Sequence, residues 1–300
     1  MPKYSEFRPF PSAEEDALAA RLCTSSLQTE SPAYRLAYLD QDFLLRDELR
    51  PLRLQLELLK PELMQQEAGI EHTVVVFGSA RILEPEKAGE HYEKACLDLD
   101  KDPSNPTLQT EAAKAKRALG NARYYAEARR FALLLSQGCQ NQNGSKLVII
   151  TGGGPGIMEA ANRGAADAGA QSIGLNIVLP MEQEPNPYIT PELCFQFHYF
   201  AIRKMHFLMR AKALVAFPGG FGTFDELFET LTLIQTKKIR AVPILLFGRA
   251  YWQRVLNFDV MVEDGMIAAA DLNLFRYVET AEEASQAVYE FYSRDNGHEE

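Results

Sequence analysis

Two stretches of the chain share one order of features: a short apolar run, a cluster of glycines, and a segment with helical spacing. They are KLVIITGGGPGIMEAANRG at residues 146–164 and ALVAFPGGFGTFDELFE at residues 213–229. Strands that are buried on both faces of a parallel sheet are continuously apolar, and glycine-rich turns lead from such strands into helices. The repeated order therefore predicts an α/β fold.

Other short apolar runs continue this pattern along the chain, and segments with helical spacing separate most of them. The runs lie within residues 72–81, 171–180, 194–200, 242–248 and 274–280. Together they predict a Rossmann-like, doubly wound parallel sheet of six or seven strands, with helices on both faces.

The first part of the chain has a different composition from the rest. Residues 1–70 are rich in Leu, Glu, Gln and Arg, with apolar residues near helical spacing. This predicts a helical N-terminal extension, followed by one Rossmann-like domain over residues 71–300. Within that domain, residues 85–137 are polar and alanine-rich, and KDPSNPT marks a break between two helices.

Charge and cysteine content narrow the classes of function. The formal net charge of −10 gives a surface that repels nucleic acid and anionic membrane, so neither is an expected partner. No apolar run is long enough to span a bilayer, and the N-terminus lacks a signal-peptide core. The four cysteines are far apart, which disfavours both a zinc site and a disulfide framework. We therefore expect a cytoplasmic protein without a metal.

The predicted sheet places three small-residue turns, FGSAR, TGGGPG and PGGFGT, at the carboxyl ends of strands, where open parallel sheets bind ligands. Glycine exposes backbone amides, and a following helix adds partial positive charge, so the turns suit a phosphate or a sugar phosphate. Neither glycine loop matches a P-loop or a dinucleotide motif, because Ile157 and Asp225 occupy the third glycine position of the latter. The candidate ligand-binding residues are Gly78, Ser79, Arg81, Gly153, Gly154, Gly219, Gly220, Gly222 and Thr223.

Charged residues near the second loop allow two interpretations each. Thr223 and Glu226 match a T-x-x-E capping box, which would give Glu226 a structural role only. Alternatively, Glu226 projects into the cleft, where a carboxylate activates water or stabilises a cationic transition state. Arg203 and Lys204 stand at the start of a predicted helix, where positive charge opposes the helix dipole. They are either an ordinary surface pair or the partners of an anion.

The four motifs PGGFGTxxE, GGGPGIMEA, FGSAR and the upstream RK pair, taken in order, closely resemble the Lonely Guy (LOG) family over residues 72–292. The resemblance implies a nucleoside 5′-monophosphate phosphoribohydrolase, which is an N-glycosidase that needs no cofactor. The implied substrates are cytokinin riboside 5′-monophosphates, or AMP as for an AMP nucleosidase, or both. It implies Arg203 and Glu226 as the catalytic residues and Gly219–Thr223 as the phosphate cradle, with Glu182, Lys204 and Thr232 in contact with the substrate. It also implies a homodimer or a higher multiple of dimers.

One alternative on the same fold stays open at this point. Proteins that carry a nucleotide or molybdenum cofactor without catalysis resemble this family, but they tend to lack the RK pair and the glutamate that are present here.

Overall fold

The computed structural model describes residues 10–141, 146–180 and 184–295. The chain forms two compact units, Met1–Glu57 and Leu58–Glu300. The division falls inside helix α3 (Arg50–Glu67), which begins in the first unit and ends in the second.

The described part of the first unit is built from short helices. Helix α1 (Ala13–Ala20) begins with a capping box, in which Ser12 and Glu15 each accept the other's backbone N–H. A second α-helix, α2, spans Gln41–Leu44. The 3-10 turns are Pro32–Tyr34, Ala37–Leu39 and Asp47–Leu49. The predicted helical character of the N-terminal extension is confirmed.

The second unit contains a seven-stranded sheet in which every neighbouring pair of strands is parallel. The strand order is β4-β3-β2-β1-β5-β6-β7. The strands are β1 (His72–Phe77), β2 (Leu147–Thr151), β3 (Ser172–Ile177), β4 (Cys194–Phe197), β5 (Ala211–Ala216), β6 (Ile244–Phe247) and β7 (Phe275–Val278). The predicted doubly wound α/β fold is confirmed.

Helices connect the strands. They are α4 (Pro85–Lys101), α5 (Pro106–Asn121), α6 (Arg123–Asn141), α7 (Ile157–Asp167), α8 (Phe200–Leu208), α9 (Phe221–Gln235), α10 (Arg249–Val255), α11 (Phe258–Glu263) and α12 (Ala281–Asp295), with 3-10 turns at Pro191–Leu193 and Ala269–Leu274. The break at KDPSNPT is confirmed, because α4 ends at Lys101 and Asn105 caps α5. The region holds three helices rather than the predicted two, since α6 begins directly after Ala122.

The core lies on both faces of the sheet. Along β1 the side chains alternate, so that Val74 and Val76 belong to one apolar cluster and Val75 and Phe77 to the other. The first cluster includes residues of α6, α7 and α12, such as Phe131, Ile157 and Val288. The second includes Phe207 of α8, Leu227 of α9 and Trp252 of α10. Both faces are therefore covered by helices, as the continuous apolar strands require.

The order of the strands reverses between β1 and β5, which pair directly. In open α/β sheets, ligands bind at such a switch point, outside the carboxyl ends of the strands. The turns FGSAR, TGGGPG and PGGFGT follow β1, β2 and β5, which are three adjacent strands. Among the described residues, no helix combines the length and apolar character needed to cross a bilayer.

Candidate functional site

A cleft of about 1130 Å³ lies at the switch point. It is bordered by residues 78–82 after β1, by Gly152 after β2 and by residues 218–226 after β5. The structure therefore brings Gly78, Ser79 and Arg81 together with Gly219, Gly220, Gly222 and Thr223 at one site.

Backbone hydrogen bonds hold these turns side by side. The Ser79 N–H donates to the Pro218 carbonyl oxygen at 3.0 Å, and the Ile157 N–H donates to the Ser79 carbonyl oxygen at 3.2 Å. A Cβ at Gly78 would lie 2.6 Å from the Ile157 side chain, so glycine permits this close approach. The protein's own hydrogen bonds therefore hold the backbone that borders the cleft at these turns.

The first glycine loop serves mainly the fold. Gly153 has a φ of 78° and Gly156 a φ of 72°, a region that favours glycine. The Asn186 side-chain amide donates to the carbonyl oxygens of Gly153 and Gly154, each at 3.1 Å. Gly153 and Gly154, which were predicted to bind ligand, do not line the cleft, whereas Gly152 does.

The second glycine loop is different. Gly220 and Gly222 line the cleft, their φ angles are not in the left-handed region, and a Cβ on either would meet no atom within 4 Å. Neither local strain nor packing therefore explains why these two positions carry glycine. Glycine at both positions leaves the backbone open to close approach by a ligand. Gly219, by contrast, packs against the Thr223 side chain.

Helix α9 begins earlier than the capping-box interpretation predicts. Its N-cap is Gly220, without a side-chain cap, and Thr223 is already the third residue of the helix. The prediction that Thr223 is the N-cap and Glu226 its capping-box partner is therefore wrong. The physical reason is that Phe221 and Gly222 already adopt helical geometry, so that the extended residue before the helix is Gly220 and not Thr223.

Glu226 is a buried acid that faces the cleft. Its side chain is only 7% exposed, and it lines the cleft next to Thr223. Burial raises the pKa of Glu226 to about 7, although Lys204 and Arg203 favour the charged form. Among the described residues, no hydrogen bond or ion pair engages its carboxylate. The carboxylate is thus available to a ligand or to water, at a pKa suited to proton transfer near neutral pH.

Arg203 lines the same cleft as Glu226. Its Nε donates to the Leu175 carbonyl oxygen at 2.7 Å, and its Nη2 lies 3.5 Å from the Gly152 carbonyl oxygen. A Cβ at Gly152 would lie 2.6 Å from that Nη2, so glycine makes room for the guanidinium. Burial lowers the pKa of Arg203, while Glu226 acts in the opposite direction. Arg203 is therefore a largely buried cation in a fixed orientation.

Lys204 and Thr232 lie outside this cleft, on a shallow groove beside it. The Lys204 Nζ is 2.7 Å from Asp225 Oδ1 and 3.2 Å from Glu229 Oε2. The Thr232 hydroxyl donates to the Phe228 carbonyl oxygen at 2.7 Å within α9. Both predicted substrate contacts are thus engaged by the protein itself. Glu182, the remaining predicted contact, lies outside the described residues.

The cleft also contains side chains that the sequence analysis missed. Lys114, Arg117 and Asn121 reach it from α5, and Tyr251 reaches it from α10. The α5 residues are three and four positions apart, which places them on one helical face. This spacing is the sequence pattern from which a shared polar face could have been predicted. Tyr251 carries no comparable signal, because its partner is the Gly219 carbonyl, distant in sequence.

No group of three or more His, Cys, Asp or Glu residues suited to a metal ion occurs in the part of the chain that the structure describes. The acids near the cleft are instead paired with cations or, in the case of Glu226, unpaired.

Comparison with known proteins places this site in a family. The family model described as "Possible lysine decarboxylase" matches residues 158–288, which contain Arg203 and Glu226. The cytokinin riboside 5′-monophosphate phosphoribohydrolase LOG4 of Arabidopsis thaliana is 30% identical over 149 residues, which are 48% of this chain and 67% of the relative. The chain belongs to the LOG family. The resemblance seen in the sequence motifs is thereby confirmed.

A second LOG relative is matched over a smaller part of its length. The probable cytokinin riboside 5′-monophosphate phosphoribohydrolase LOG4 of Oryza sativa subsp. japonica is 31% identical over 140 residues. These residues are 45% of this chain and 59% of the rice protein, so the match spans less than two thirds of that relative.

Solved structures give more distant matches to this LOG member. The molybdenum cofactor binding protein of Rippkaea orientalis is 15% identical, with a TM-score of 0.42, over 73% of this chain and 95% of that one. The Moco carrier protein of Chlamydomonas reinhardtii is 15% identical, with a TM-score of 0.42, over 75% of this chain and 99% of that one.

Proposed function

We propose that this protein hydrolyses the N-glycosidic bond of nucleoside 5′-monophosphates to a free base and ribose 5-phosphate. The observation that carries the proposal is the pairing, in one cleft, of an unpaired buried Glu226 with a loop whose Gly220 and Gly222 leave their backbone open. The names of the LOG relatives, which are phosphoribohydrolases, support the same reaction class.

The glycine loop binds the 5′-phosphate in this proposal. The amides of Gly220 and Gly222 lie at the start of α9, where the helix dipole favours an anion. The Thr223 N–H, by contrast, already donates to the Gly220 carbonyl oxygen at 3.0 Å. The cleft accommodates the rest of the nucleotide, because its volume of about 1130 Å³ slightly exceeds that of most small-molecule sites, which is roughly 300–1,000 Å³. A phosphate in this position also favours the monophosphate over the bare nucleoside.

Glu226 acts on the bond that is cut. As the bond between the ribose C1′ and the base breaks, its electron pair leaves with the base and the ribose gains oxocarbenium character. The ionised carboxylate stabilises that charge and takes a proton from the water whose oxygen bonds to C1′. That proton is finally transferred to the departing base. Arg203, fixed beside Glu226, orients the nucleotide and stabilises its negative charge.

Amino-acid decarboxylation through a Schiff base is less consistent with the geometry. It requires a lysine amine free to react, and the lysine of the RK pair is held by Asp225 and Glu229 outside the cleft. The hydrolysis described above uses only water and side chains of this chain.

A turnover screen tests the proposal. The intact protein is incubated with AMP, isopentenyl-AMP, GMP, CMP and UMP, and the free base and ribose 5-phosphate are quantified by chromatography. Release of base from at least one monophosphate, with adenosine cleaved much more slowly, is the expected result. Tight binding without release from any of them would contradict it and favour the non-catalytic carrier.

A homodimer is part of the proposal. Lys204 of α8 contacts Asp225 of α9, so these helices are neighbours. They and the residue directly after α8 carry exposed apolar side chains, at Phe200, Met205, Phe221 and Met209. Exposed apolar surface of this kind is typical of contact sites. Analytical ultracentrifugation is expected to show a dimer or a multiple of dimers, and a monomer at micromolar concentration would contradict this.

A further inference from the structure

The helices between β1 and β2 contribute positive charge to the cleft. Of the residues that the structure describes, four cations line it: Arg81, Lys114, Arg117 and Arg203. Two of them, Lys114 and Arg117, belong to α5, where they are one helical turn apart on the same face as Asn121. Among the described lining residues, the acids are Asp225 and Glu226 alone, so this part of the cleft is basic in a protein whose net charge is −10.

These cations differ in whether they already form ion pairs or hydrogen bonds within the protein. The Lys114 Nζ lies 2.8 Å from Glu111 Oε1. Arg203 is held by the Leu175 carbonyl, and Lys204, just outside the cleft, is held by two carboxylates.

Arg81 and Arg117, by contrast, have no side-chain hydrogen bond or ion pair with any residue in the ranges 10–141, 146–180 and 184–295. Their backbone settings are fixed, because Arg81 is in the turn tied to Pro218 through Ser79 and Arg117 is inside α5.

A bound phosphate needs such free charge. A phosphate monoester carries up to two negative charges near neutral pH, whereas the loop amides carry none. The phosphate would also share the cleft with Asp225 and Glu226. Free guanidinium groups supply the missing positive charge and match phosphate geometry with paired donors.

We propose that Arg117, together with Arg81, binds the 5′-phosphate that the glycine loop also contacts. This assigns helix α5 a role in substrate binding. It rests on the proposed function for the identity of the ligand, but the phosphate contact itself is tested without turnover. Arg117 is a binding residue here. Arg203 orients the nucleotide, and Lys204 pairs with Asp225 and Glu229 of α9.

The test uses ribose 5-phosphate, which carries the same phosphate and has no bond to be cleaved. Its dissociation constant is measured by calorimetry for the full-length protein and for the variants Arg117→Gln, Arg81→Gln and Lys116→Gln. Lys116 is the matched control, because it is an exposed cation on the same helix that does not line the cleft. We expect Arg117→Gln and Arg81→Gln each to weaken binding about tenfold, as for loss of a charged hydrogen bond, and Lys116→Gln to change it less than about twofold.

Two further readouts separate a phosphate contact from a general effect. Free ribose should show no difference among the variants, and Arg117→Lys should restore part of the affinity because it keeps the charge. In turnover assays Arg117→Gln should raise KM much more than it lowers kcat.

Equal binding by Arg117→Gln and Lys116→Gln, or no binding of ribose 5-phosphate by the unmodified protein, would overturn the inference. If ribose 5-phosphate binds and depends on Arg117 but no monophosphate is hydrolysed, the inference stands and the proposed function fails.

Discussion

The Tyr251 hydroxyl of α10 donates a hydrogen bond to the carbonyl oxygen of Gly219 in the glycine loop. Both residues line the cleft, and burial raises the pKa of Tyr251, so its hydroxyl remains a donor at all working pH values. Because a peptide carbonyl and the following N–H point in opposite directions, this bond also sets the direction of the Gly220 amide. In the proposed function, Tyr251 therefore positions the loop that binds the phosphate.

Replacing Tyr251 with Phe should remove the hydrogen bond to Gly219 and keep the packing of the aromatic ring. We expect KM for a nucleoside monophosphate to rise about fivefold, the size of one ordinary hydrogen bond, with a smaller change in kcat. Steady-state kinetics measures both constants. Tyr277→Phe is the control, since Tyr277 is a half-buried tyrosine away from the cleft. Equal KM values for the two variants would show that the bond to Gly219 does not act on binding.

Gly222→Ala separates fold from ligand binding. The structure has room for the added methyl group, and alanine favours a helix over glycine, so the free energy of unfolding should stay the same or rise by about 0.5 kcal/mol. A methyl group on the phosphate cradle should nevertheless weaken ribose 5-phosphate binding by about tenfold or more. Calorimetry and denaturant unfolding measure the two effects. Gly89→Ala, in α4 with similar free space, serves as control and should leave binding unchanged.

The raised pKa of Glu226 predicts how its substitution affects stability. Since the folded state holds the proton up to about pH 7 and the unfolded state only to about 4.5, the ionised carboxylate destabilises the fold increasingly as pH rises through that interval. Glu226→Gln should therefore increase the free energy of unfolding at pH 8, by up to about 3 kcal/mol, and change it little at pH 4.5. Urea unfolding at both pH values measures this. A loss of stability at pH 8 would contradict the assignment of an unpaired buried acid.

The same pKa predicts the pH dependence of activity. If the ionised carboxylate is the active form, kcat/KM should rise as pH increases to about 7 and level off above it. The substrate phosphate titrates near pH 6, so the profile of a variant that lacks the Glu226 carboxylate is needed to separate the two groups. A profile that falls through pH 7 would instead assign Glu226 the role of a general acid.

Much of the fold follows from local patterns. Continuous apolar runs mark the buried strands, and glycine turns mark the three strand ends that meet at the switch point between β1 and β5. The separation of α5 from α6 at Ala122 was missed because no proline marks it and its neighbours favour a helix. Tertiary packing decides such a boundary, since Ala122 and Tyr125 are buried.

The sequence motifs predicted the site correctly only where their residues also line the cleft in the structure. Glu226, Arg203 and the second glycine loop all line the cleft, but the T-x-x-E spacing suggested a cap that the structure replaces with Gly220. The first glycine loop has a similar composition, yet Gly153 and Gly154 satisfy backbone requirements of the fold. Arg117 and Tyr251 reach the cleft from distant segments, and no local pattern encodes that proximity.

The central claim is that the Glu226 carboxylate acts in glycosidic hydrolysis, and the kcat of Glu226→Gln tests it most directly. Glu229→Gln is the matched control, because it removes an acid from the same helix outside the cleft. Using the best monophosphate of the screen, we expect Glu226→Gln to lower kcat by more than about a hundredfold, with ribose 5-phosphate still bound, and Glu229→Gln to lower it less than about threefold. A folded Glu226→Gln protein that retains most of the activity would contradict the account.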